Sequence, residues 1–211
     1  NRSWTSPLSR DTNLVGHWKF DEGSGTTAYD SSGQGNDCTL INGPVWNLLP
    51  SNKNFLFFDG VNDTATCGTG LSSLNVPGDS LTISFWIKKE SMDQDKTCFI
   101  AVKSNPGYNL DLRGNGNMSL GIYNNQNQYH SRTVGVLSDD VWTFVSVSYY
   151  EGKYFRSYVN GQLYNSSNFQ TLHYVGQNAG NFRISGFGWY GAGGEEEAPP
   201  DRCCTPLPAL P

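Results

Sequence analysis

The chain has 211 residues, of which 16 % are charged and 13 % aromatic, and it carries 24 glycines. Its net charge of −5 and pI near 5.1 argue against a nucleic-acid-binding protein, which needs clustered Lys and Arg to neutralise phosphates. No apolar run approaches the roughly 18 residues of a membrane-spanning helix, so no membrane insertion is expected. No signal peptide is visible before the polar first residues, so we expect a mature secreted or cell-surface chain, or a module of a larger protein.

Short alternating segments predict strands along most of the chain. In chain order they are "LVGHWKF", "NFLFFDG", "LTISFWIKK", "TCFIAVK", "NLDLRG", "MSLGIY", "WTFVSVSYY", "KYFRSYVNGQLY" and "NFRISGF". In "LTISFWIKK", Ile83, Phe85 and Ile87 share one face of the strand. Asn160-Gly161 stands between the two arms of "KYFRSYVNGQLY" and is the strongest short-range signal for a hairpin. Many short strands separated by Gly, Asn and Asp clusters predict an all-β sandwich or jelly roll.

Changes in composition divide the chain into three predicted segments. Residues 1–12 are polar and lack alternation, so we expect an N-terminal arm. Residues 13–192 form the predicted β-domain. Residues 193–211, "GGEEEAPPDRCCTPLPALP", are rich in Glu and Pro, and Pro cannot donate to a strand ladder. They are predicted to be an irregular tail, which is a linker, a disordered segment or foreign sequence.

The cysteines leave the disulfide pattern open. Their positions are Cys38, Cys67, Cys98, Cys203 and Cys204. The absence of C-x-x-C spacing argues against a structural zinc site or a thioredoxin-like motif. An odd count leaves at least one thiol unpaired within the chain, and the pairing of the others cannot be read from spacing.

The stretch "AYDSSGQGND" gathers oxygen-bearing residues in one turn-rich segment. Asp30, Gly33 and Asn36 offer carboxylate and carbonyl oxygens there. Asp21 lies just upstream, and Asp63 belongs to a second oxygen-rich loop, "FDGVND". Calcium takes roughly six to eight oxygen ligands from flexible loops, so these residues are a predicted calcium site that stabilises the fold. The alternative is an ion-free turn in which Asp30 accepts hydrogen bonds from nearby backbone N–H groups.

Loop aromatics and amides are the predicted ligand-binding residues. They are Tyr108, Tyr123, Asn125, Gln128, Tyr129, Trp189 and Tyr190. Aromatic faces suit the C–H groups of a sugar, and amides can donate to and accept from its hydroxyls. The alternative for the amide-rich run between Tyr123 and Tyr129 is a solvated hairpin tip. Trp18, Trp86 and Trp142 lie in strand-like segments and are predicted to be packed in the core.

Several blocks, taken in order, resemble the laminin-G-like, concanavalin A-like jelly-roll modules related to pentraxins. They are "LVGHWKFDEGSGTTAYDSSGQGND", "FDGVNDTATCG", "LTISFWIKK", "WTFVSVSYYEGKYFRSYVNGQL" and "FRISGFGWYG", and they span roughly Leu14 to Gly191. The resemblance implies a two-sheet antiparallel jelly-roll sandwich. It also implies a module that commonly binds carbohydrate or serves adhesion and is stabilised by calcium, with the ion near Asp30, Gly33 and Asn36.

The chain departs from this family in two places. Cys38 stands where the family usually has Gly. A closing strand of the type Ile-Asp-Asp-Val-Arg-Ile-Tyr normally follows the loop that matches "GWYG", and here the Glu- and Pro-rich tail takes its place. The closing strand is therefore predicted to be missing, and an open sheet edge of this kind invites strand addition from another chain.

These features predict a non-catalytic, lectin-like module that binds a glycan or polysaccharide. Glucanases with a concanavalin-type fold carry Glu-x-Asp-x-x-Glu on one strand, which puts two carboxylates on the same face, and this spacing is absent here. The alternative is a structural or adhesion module that binds protein and self-associates by strand addition.

Overall fold

The computed structural model describes residues 13–68, 73–74, 80–94, 96–103, 107–123, 128–150, 152–168 and 181–188. Within these residues every regular element is a strand. The strands are β1 Thr27–Ala28, β2 Cys38–Ile41, β3 Val45–Leu48, β4 Asn54–Phe57, β5 Thr64–Cys67, β6 Ser80–Ile87, β7 Thr97–Lys103, β8 Tyr108–Arg113, β9 Asn117–Tyr123, β10 Tyr129–Val136, β11 Thr143–Tyr150, β12 Tyr154–Val159, β13 Gln162–Ser167 and β14 Phe182–Gly188.

The strands form two main antiparallel sheets and one separate hairpin. The larger sheet has the order β1-β2-β5-β14-β7-β8-β9-β10, and the smaller has the order β13-β12-β11-β6. Among the described strands, β3 and β4 pair only with each other. The prediction of an all-β, two-sheet antiparallel jelly-roll sandwich is confirmed.

Alternation along each strand supplies the core between the sheets. Leu110 and Leu120 from the larger sheet are buried, as are Val145, Val147 and Phe155 from the smaller one. Burial of one such side chain contributes roughly 1.5–3 kcal/mol. The polar residues between them turn outward, so each sheet keeps one face for solvent or ligand.

The two sheets approach each other closely along β10. This edge strand of the larger sheet contacts β12 and β13 of the smaller one. Asn165 Nδ2 donates to the Thr133 carbonyl oxygen at 2.9 Å, and Gly135 leaves room for the Val159 side chain. The sandwich is thereby closed at this side.

The predicted hairpin at Asn160-Gly161 is confirmed. Both residues have positive φ, 50° and 79°, as a two-residue type I′ turn requires. Asn160 Oδ1 also accepts a hydrogen bond from the Phe144 backbone N–H at 2.9 Å. The turn therefore fixes the register of β12 and β13 and ties it to β11.

The segment "LVGHWKF" was expected to be a strand, and this is wrong. It forms one isolated antiparallel bridge, between Trp18 and Asp30, because the Asp30 carboxylate and not a neighbouring strand accepts the His17 N–H. The segment instead covers the core. Trp18 stacks on Phe182 with ring centroids 5.6 Å apart, as its predicted packing requires, and its Nε1 donates to the Asn36 carbonyl at 2.8 Å.

The structure pairs Cys38 with Cys67 in a disulfide between β2 and β5. The two residues are direct partners in the antiparallel register and are fully buried. Cys98 lies buried outside this bond, with its Sγ 4.0 Å from Met92 Sδ. Cys203 and Cys204 lie outside the described residues.

Strand β6 occupies one edge of the smaller sheet. It pairs with β11 along its whole length, and in the part of the chain that the structure describes no strand pairs with its other edge. The arm at 1–12 and the tail at 193–211 lie outside the described residues, so the missing closing strand and these boundaries stay predictions.

Candidate ligand-binding site

The outward face of β8, β9 and β10 carries the most distinctive polar cluster. Because Leu110 and Leu112 of β8 point inward, Asn109 and Asp111 take the outward face. In the register of the sheet Asn109 faces Gly121, and Asp111 faces Ser119. The cluster is therefore built by rigid central strands rather than by loops.

An aromatic pair lies beside these polar groups. Tyr123 and Tyr129 face each other across β9 and β10, with ring centroids 4.9 Å apart. Tyr129 is 45 % exposed. A Cβ added at Gly121 would collide with both the Tyr129 ring and Asn109 Oδ1, so only glycine leaves room for this arrangement.

Asp111 is a buried carboxylate on the outward face of the larger sheet. It is 6 % exposed, and burial raises its pKa to about 6, although the Arg113 guanidinium acts in the opposite direction. Burial also raises the pKa of the Tyr129 hydroxyl, and the Asp111 charge adds to that rise. Perturbed groups gathered at one place are a mark of functional sites.

Asn109 contributes a buried acceptor. The residue is 7 % exposed, and its Nδ2 donates to Asp111 Oδ1 at 3.3 Å. Its Oδ1 is buried and meets no donor at full hydrogen-bond geometry among the described residues, although the Asn109 side chain interacts with the Tyr129 hydroxyl and opposes the rise of its pKa. We call Asn109, Asp111, Gly121, Tyr123 and Tyr129 the Asp111 cluster. It combines two hydrogen-bond acceptors with an accessible aromatic surface.

The structure brings together some of the predicted ligand residues and separates others. Tyr123 and Tyr129 meet in the Asp111 cluster, and exposed Gln128 directly precedes β10. Asn125, Trp189 and Tyr190 lie outside the described residues. The assignment of Tyr108 to a ligand platform is wrong. It is 3 % exposed, because as the first residue of β8 it shares the inward face of Leu110, and its hydroxyl donates to the Leu74 carbonyl at 3.4 Å.

The prediction that Trp86 is a core residue is also wrong. Its side chain is 64 % exposed on the outer face of the smaller sheet, next to Phe144 at a centroid distance of 5.4 Å. Hydroxyl pairs continue this face across β6 and β11, including Ser84 with Ser146 at 2.8 Å. We call this surface the Trp86 face. Trp142 is partly buried and makes an edge contact with the Phe55 ring at 5.3 Å.

The loop around Asp30 is held by hydrogen bonds to its carboxylate. Oδ1 accepts from the backbone N–H groups of His17 and Ser32, at 2.9 and 2.8 Å. Oδ2 accepts from the Ser32 hydroxyl and the Asn36 N–H, at 2.7 and 3.0 Å. Partial burial works in the opposite direction, but these hydrogen bonds hold the pKa of Asp30 below its ordinary value.

The other predicted calcium ligands have varied surroundings. The Asp21 carbonyl accepts from Asn54 Nδ2 at 3.0 Å, and Gly33 has a φ of 84° in the turn. Buried Asn36 donates to the Val15 carbonyl at 2.7 Å. The Asp63 carboxylate is buried and accepts from the Asp59 N–H at 2.9 Å, and burial raises its pKa.

Among the described residues, no group of three or more His, Cys, Asp or Glu side chains is placed to hold a metal ion. In the same residues, no helix is long and apolar enough to cross a membrane. Calcium binding stays a prediction.

The family comparison agrees with the resemblance seen in the sequence. The Laminin_G_3 model, described as "Concanavalin A-like lectin/glucanases superfamily", matches residues 59–195. This match confirms the laminin-G-like, concanavalin A-like interpretation. No curated protein matches the chain.

Solved structures with the same fold include toxin binding domains. The binding domain of botulinum neurotoxin serotype D/C VPI 5993 has a TM-score of 0.67 at 14 % identity, over 84 % of this chain and 44 % of that one. The binding domain of Paraclostridial Mosquitocidal Protein 1 has a TM-score of 0.66 at 15 % identity, over 82 % and 44 %.

A third structure is of botulinum neurotoxin type C, a toxin whose cell entry is described as dependent upon interaction with two ganglioside molecules. It has a TM-score of 0.62 at 16 % identity, over 82 % of this chain and 43 % of that one. The chain thus spans less than half the length of these structures. At these identities the likeness is one of fold.

Proposed function

The chain belongs to the concanavalin A-like lectin/glucanases superfamily, and on that premise we propose that it is a secreted or cell-surface, non-catalytic module that binds glycans. The Asp111 cluster is the observation that carries this proposal. The Tyr123–Tyr129 pair offers aromatic surface for the C–H groups of a sugar ring. Asp111 and Asn109 offer acceptors for its hydroxyls.

Two further observations support binding without cleavage. Among the described residues, the Asp111 cluster holds one carboxylate, whereas most glycoside hydrolases use a pair about 5–9.5 Å apart. Proteins of the same fold are named as binding domains, and the type C neurotoxin is described as interacting with gangliosides, which are glycolipids. The likeness to these binding domains is an analogy of fold, so the proposal rests on the Asp111 cluster.

A glycan array followed by calorimetry with Tyr129 variants tests the proposal. Wild-type protein is expected to bind one class of glycan, and Tyr129→Ala to weaken that binding at least tenfold because the stacking surface is lost. Tyr164→Ala is the matched control, since Tyr164 lies on β13 and is similarly exposed, at 48 %. A blank array, in calcium and in chelator alike, would contradict glycan binding. Binding lost in Trp86→Ala but kept in Tyr129→Ala would move the site to the Trp86 face.

Calcium is a further part of the proposal, as a stabiliser of the loops. The buried Asp63 carboxylate favours a cation nearby, because desolvation makes its negative charge costly. The four donors that already satisfy Asp30 favour the ion-free turn at that position. Stability of the wild-type protein and of Asp30→Ala, compared in calcium and in EDTA, separates an ion at this loop from an ion-free turn.

A structural or adhesion module that self-associates is the second candidate function. The observation that favours it is the edge of β6, which has no strand partner among the described residues. Sedimentation velocity over a hundredfold range of protein concentration tests it. Oligomers that form as the concentration rises, and that are lost when residues 1–12 and 193–211 are removed, would support this candidate. A monomer at every concentration would contradict it.

A further inference from the structure

The amide of Asn109 has a defined orientation. Its Nδ2 donates to Asp111 Oδ1 at 3.3 Å. The reverse orientation would place the amide oxygen against a carboxylate oxygen, two acceptors with no proton between them. Asn109 Oδ1 therefore points away from Asp111. The amide nitrogen of Asn109 donates within the cluster, and its amide oxygen is the acceptor that faces away from Asp111.

The acceptor oxygen of Asn109 lies close to the Tyr129 side chain. Asn109 Oδ1 and the Tyr129 hydroxyl both lie close to the position that a Cβ of Gly121 would take, and the two side chains interact. When Tyr129 turns away, the buried carbonyl oxygen is left without a donor among the described residues, which is costly. The Tyr129 side chain is half exposed, so it can turn toward solvent and let a ligand hydroxyl reach Asn109 Oδ1.

Both acceptors are nearly buried, with Asp111 6 % and Asn109 7 % exposed, so a ligand reaches the Asp111 carboxylate and the Asn109 oxygen only after Tyr129 turns. Arg113, the next outward residue of β8, is exposed. Its charge opposes the rise of the Asp111 pKa, so it offsets part of the negative charge of that carboxylate. A ligand that brings hydrogen-bond donors satisfies both acceptors, whereas a ligand carboxylate or sulfate meets a like charge.

We propose that the Asp111 cluster selects uncharged glycans with adjacent free hydroxyls and rejects acidic glycans. This inference rests on the proposed glycan-binding function. Asp111 and Asn109 determine the specificity, because each accepts a hydrogen bond from one of two neighbouring hydroxyls, while Tyr129 stacks on the ring. Sites whose buried polar groups need a partner reject ligands that cannot supply one.

Calorimetry with matched glycans tests the inference. A neutral oligosaccharide that binds is compared with the same oligosaccharide carrying a carboxylate through sialylation or oxidation of a primary hydroxyl. The acidic form is expected to bind at least tenfold more weakly. In Asp111→Asn, affinity for the neutral form is expected to fall at least tenfold, and the difference between the two forms to shrink to within about threefold. Thermal unfolding of this variant verifies that it is folded.

Arg113→Ala is the matched control on the same strand. It is expected to retain the preference for the neutral glycan, and to strengthen it slightly because a charge that offsets Asp111 is removed. If the wild-type protein binds the acidic form at least as well as the neutral form and Arg113→Ala loses that binding, Arg113 is instead an anion site. Equal affinity of the wild-type protein for both forms, or an unchanged preference in Asp111→Asn, would overturn the inference. If an acidic glycan binds best and Tyr129→Ala weakens it, the inference fails and the proposed function stands. If no glycan binds, both fail.

Discussion

Asp30 shows how one side chain can organise a whole loop. Its two carboxylate oxygens accept four hydrogen bonds, from His17, Ser32 and Asn36, and so join the N-terminal segment to the turn that precedes β2. A carboxylate with four donors is already satisfied without a cation. The sequence alone placed calcium and an ion-free turn at this position as alternatives, because both need the same oxygen-rich residues.

Replacing Asp30 tests what holds this loop. Asp30→Ala is expected to lower the free energy of unfolding by about 2–4 kcal/mol, since several net contributions of roughly 0.5–1.5 kcal/mol are lost together. Because the folded pKa is lowered, the stabilisation is present above the unfolded value of 3.8 and is lost as the pH falls below it. Urea titration of the variant at pH 7 and at pH 3 measures both effects.

Asp21→Ala is the control for Asp30, because Asp21 contributes its backbone carbonyl and should change stability by less than about 0.5 kcal/mol. The same titrations in calcium and in EDTA decide the role of the ion. A melting temperature of the wild-type protein that falls in EDTA, with an Asp30→Ala variant insensitive to EDTA, would establish calcium at Asp30. If Asp30→Ala is destabilised by the same amount in calcium as in EDTA, the ion-free turn is established.

The ionised Asp111 carboxylate lowers the stability of the folded protein, whereas the ionised Asp30 carboxylate raises it. Its pKa is raised from 3.8 to about 6, so the folded protein binds more protons than the unfolded chain between these values. Stability from this group therefore falls as the pH rises from about 4 to 6 and stays low above it. This rise in the pKa of Asp111 corresponds to about 3 kcal/mol of the free energy of unfolding.

Asp111→Asn is expected to raise the stability at pH 7 by about 1–3 kcal/mol, with the gain fading toward pH 4. Chemical denaturation of the variant and the wild-type protein at pH 4, 5.5 and 7 measures it. A variant less stable than wild type at pH 7 would show that the ionised carboxylate is stabilised by contacts that outweigh its burial. A more stable variant that no longer binds glycan would show that stability is given up for recognition at this position.

At the scale of strands, period-2 alternation predicted the elements with strong apolar faces. Strands β4, β6–β9 and β11–β14 match the segments expected from the sequence, and the type I′ hairpin follows from Asn160-Gly161. The alternation of "NLDLR" also places Asn109 and Asp111 opposite the leucines, which is the signal that could have identified them. Their meeting with Gly121 and Tyr129 depends on register across three strands, which a single sequence does not specify.

Weak or polar alternation explains the strands that the sequence did not predict. Strand β1 has two residues, β2 is the four-residue Cys-Thr-Leu-Ile, which does not alternate strictly, β5 consists of small or polar residues, and β10 carries charged and polar residues with a glycine. Trp86 was misplaced for a different reason. Alternation put it with Thr82 and Ser84 on the polar face, but the size of its side chain suggested the core. The pattern was a better guide than the residue type.

The disulfide is the strongest single link between elements of the larger sheet. Cys38 and Cys67 are 29 residues apart, and closing a loop of this size is worth about 3–4 kcal/mol in the chain-entropy model. Cys38→Ala/Cys67→Ala is expected to lower the free energy of unfolding by that amount in urea titrations. A reducing agent should do the same to the wild-type protein and leave the variant unchanged. An unchanged urea midpoint after reduction would show that β2 and β5 need no covalent link.

At the scale of the whole molecule, the two sides of the sandwich differ. Strand β10 packs against β12 and β13 and closes one side. On the smaller sheet, β6 ends the described strands, while Ile83, Phe85 and Ile87 on its inward face are only partly buried. This asymmetry separates the two candidate functions in space, since the Asp111 cluster lies on the larger sheet and the β6 edge on the smaller one.

Amide hydrogen exchange resolves what happens at the β6 edge. In an antiparallel strand every second backbone N–H faces away from its partner, so half of the β6 amides face away from β11. In dilute solution these amides are expected to exchange at least about tenfold faster than the amides that bond to β11. The central strand β11, paired on both sides, is the internal control and should be protected throughout. Uniform protection of β6 at every concentration would mean that another segment of the same chain covers the edge. Protection that appears only as the concentration rises would mean that a second copy does so, and the self-associating module would then replace the isolated glycan-binding one.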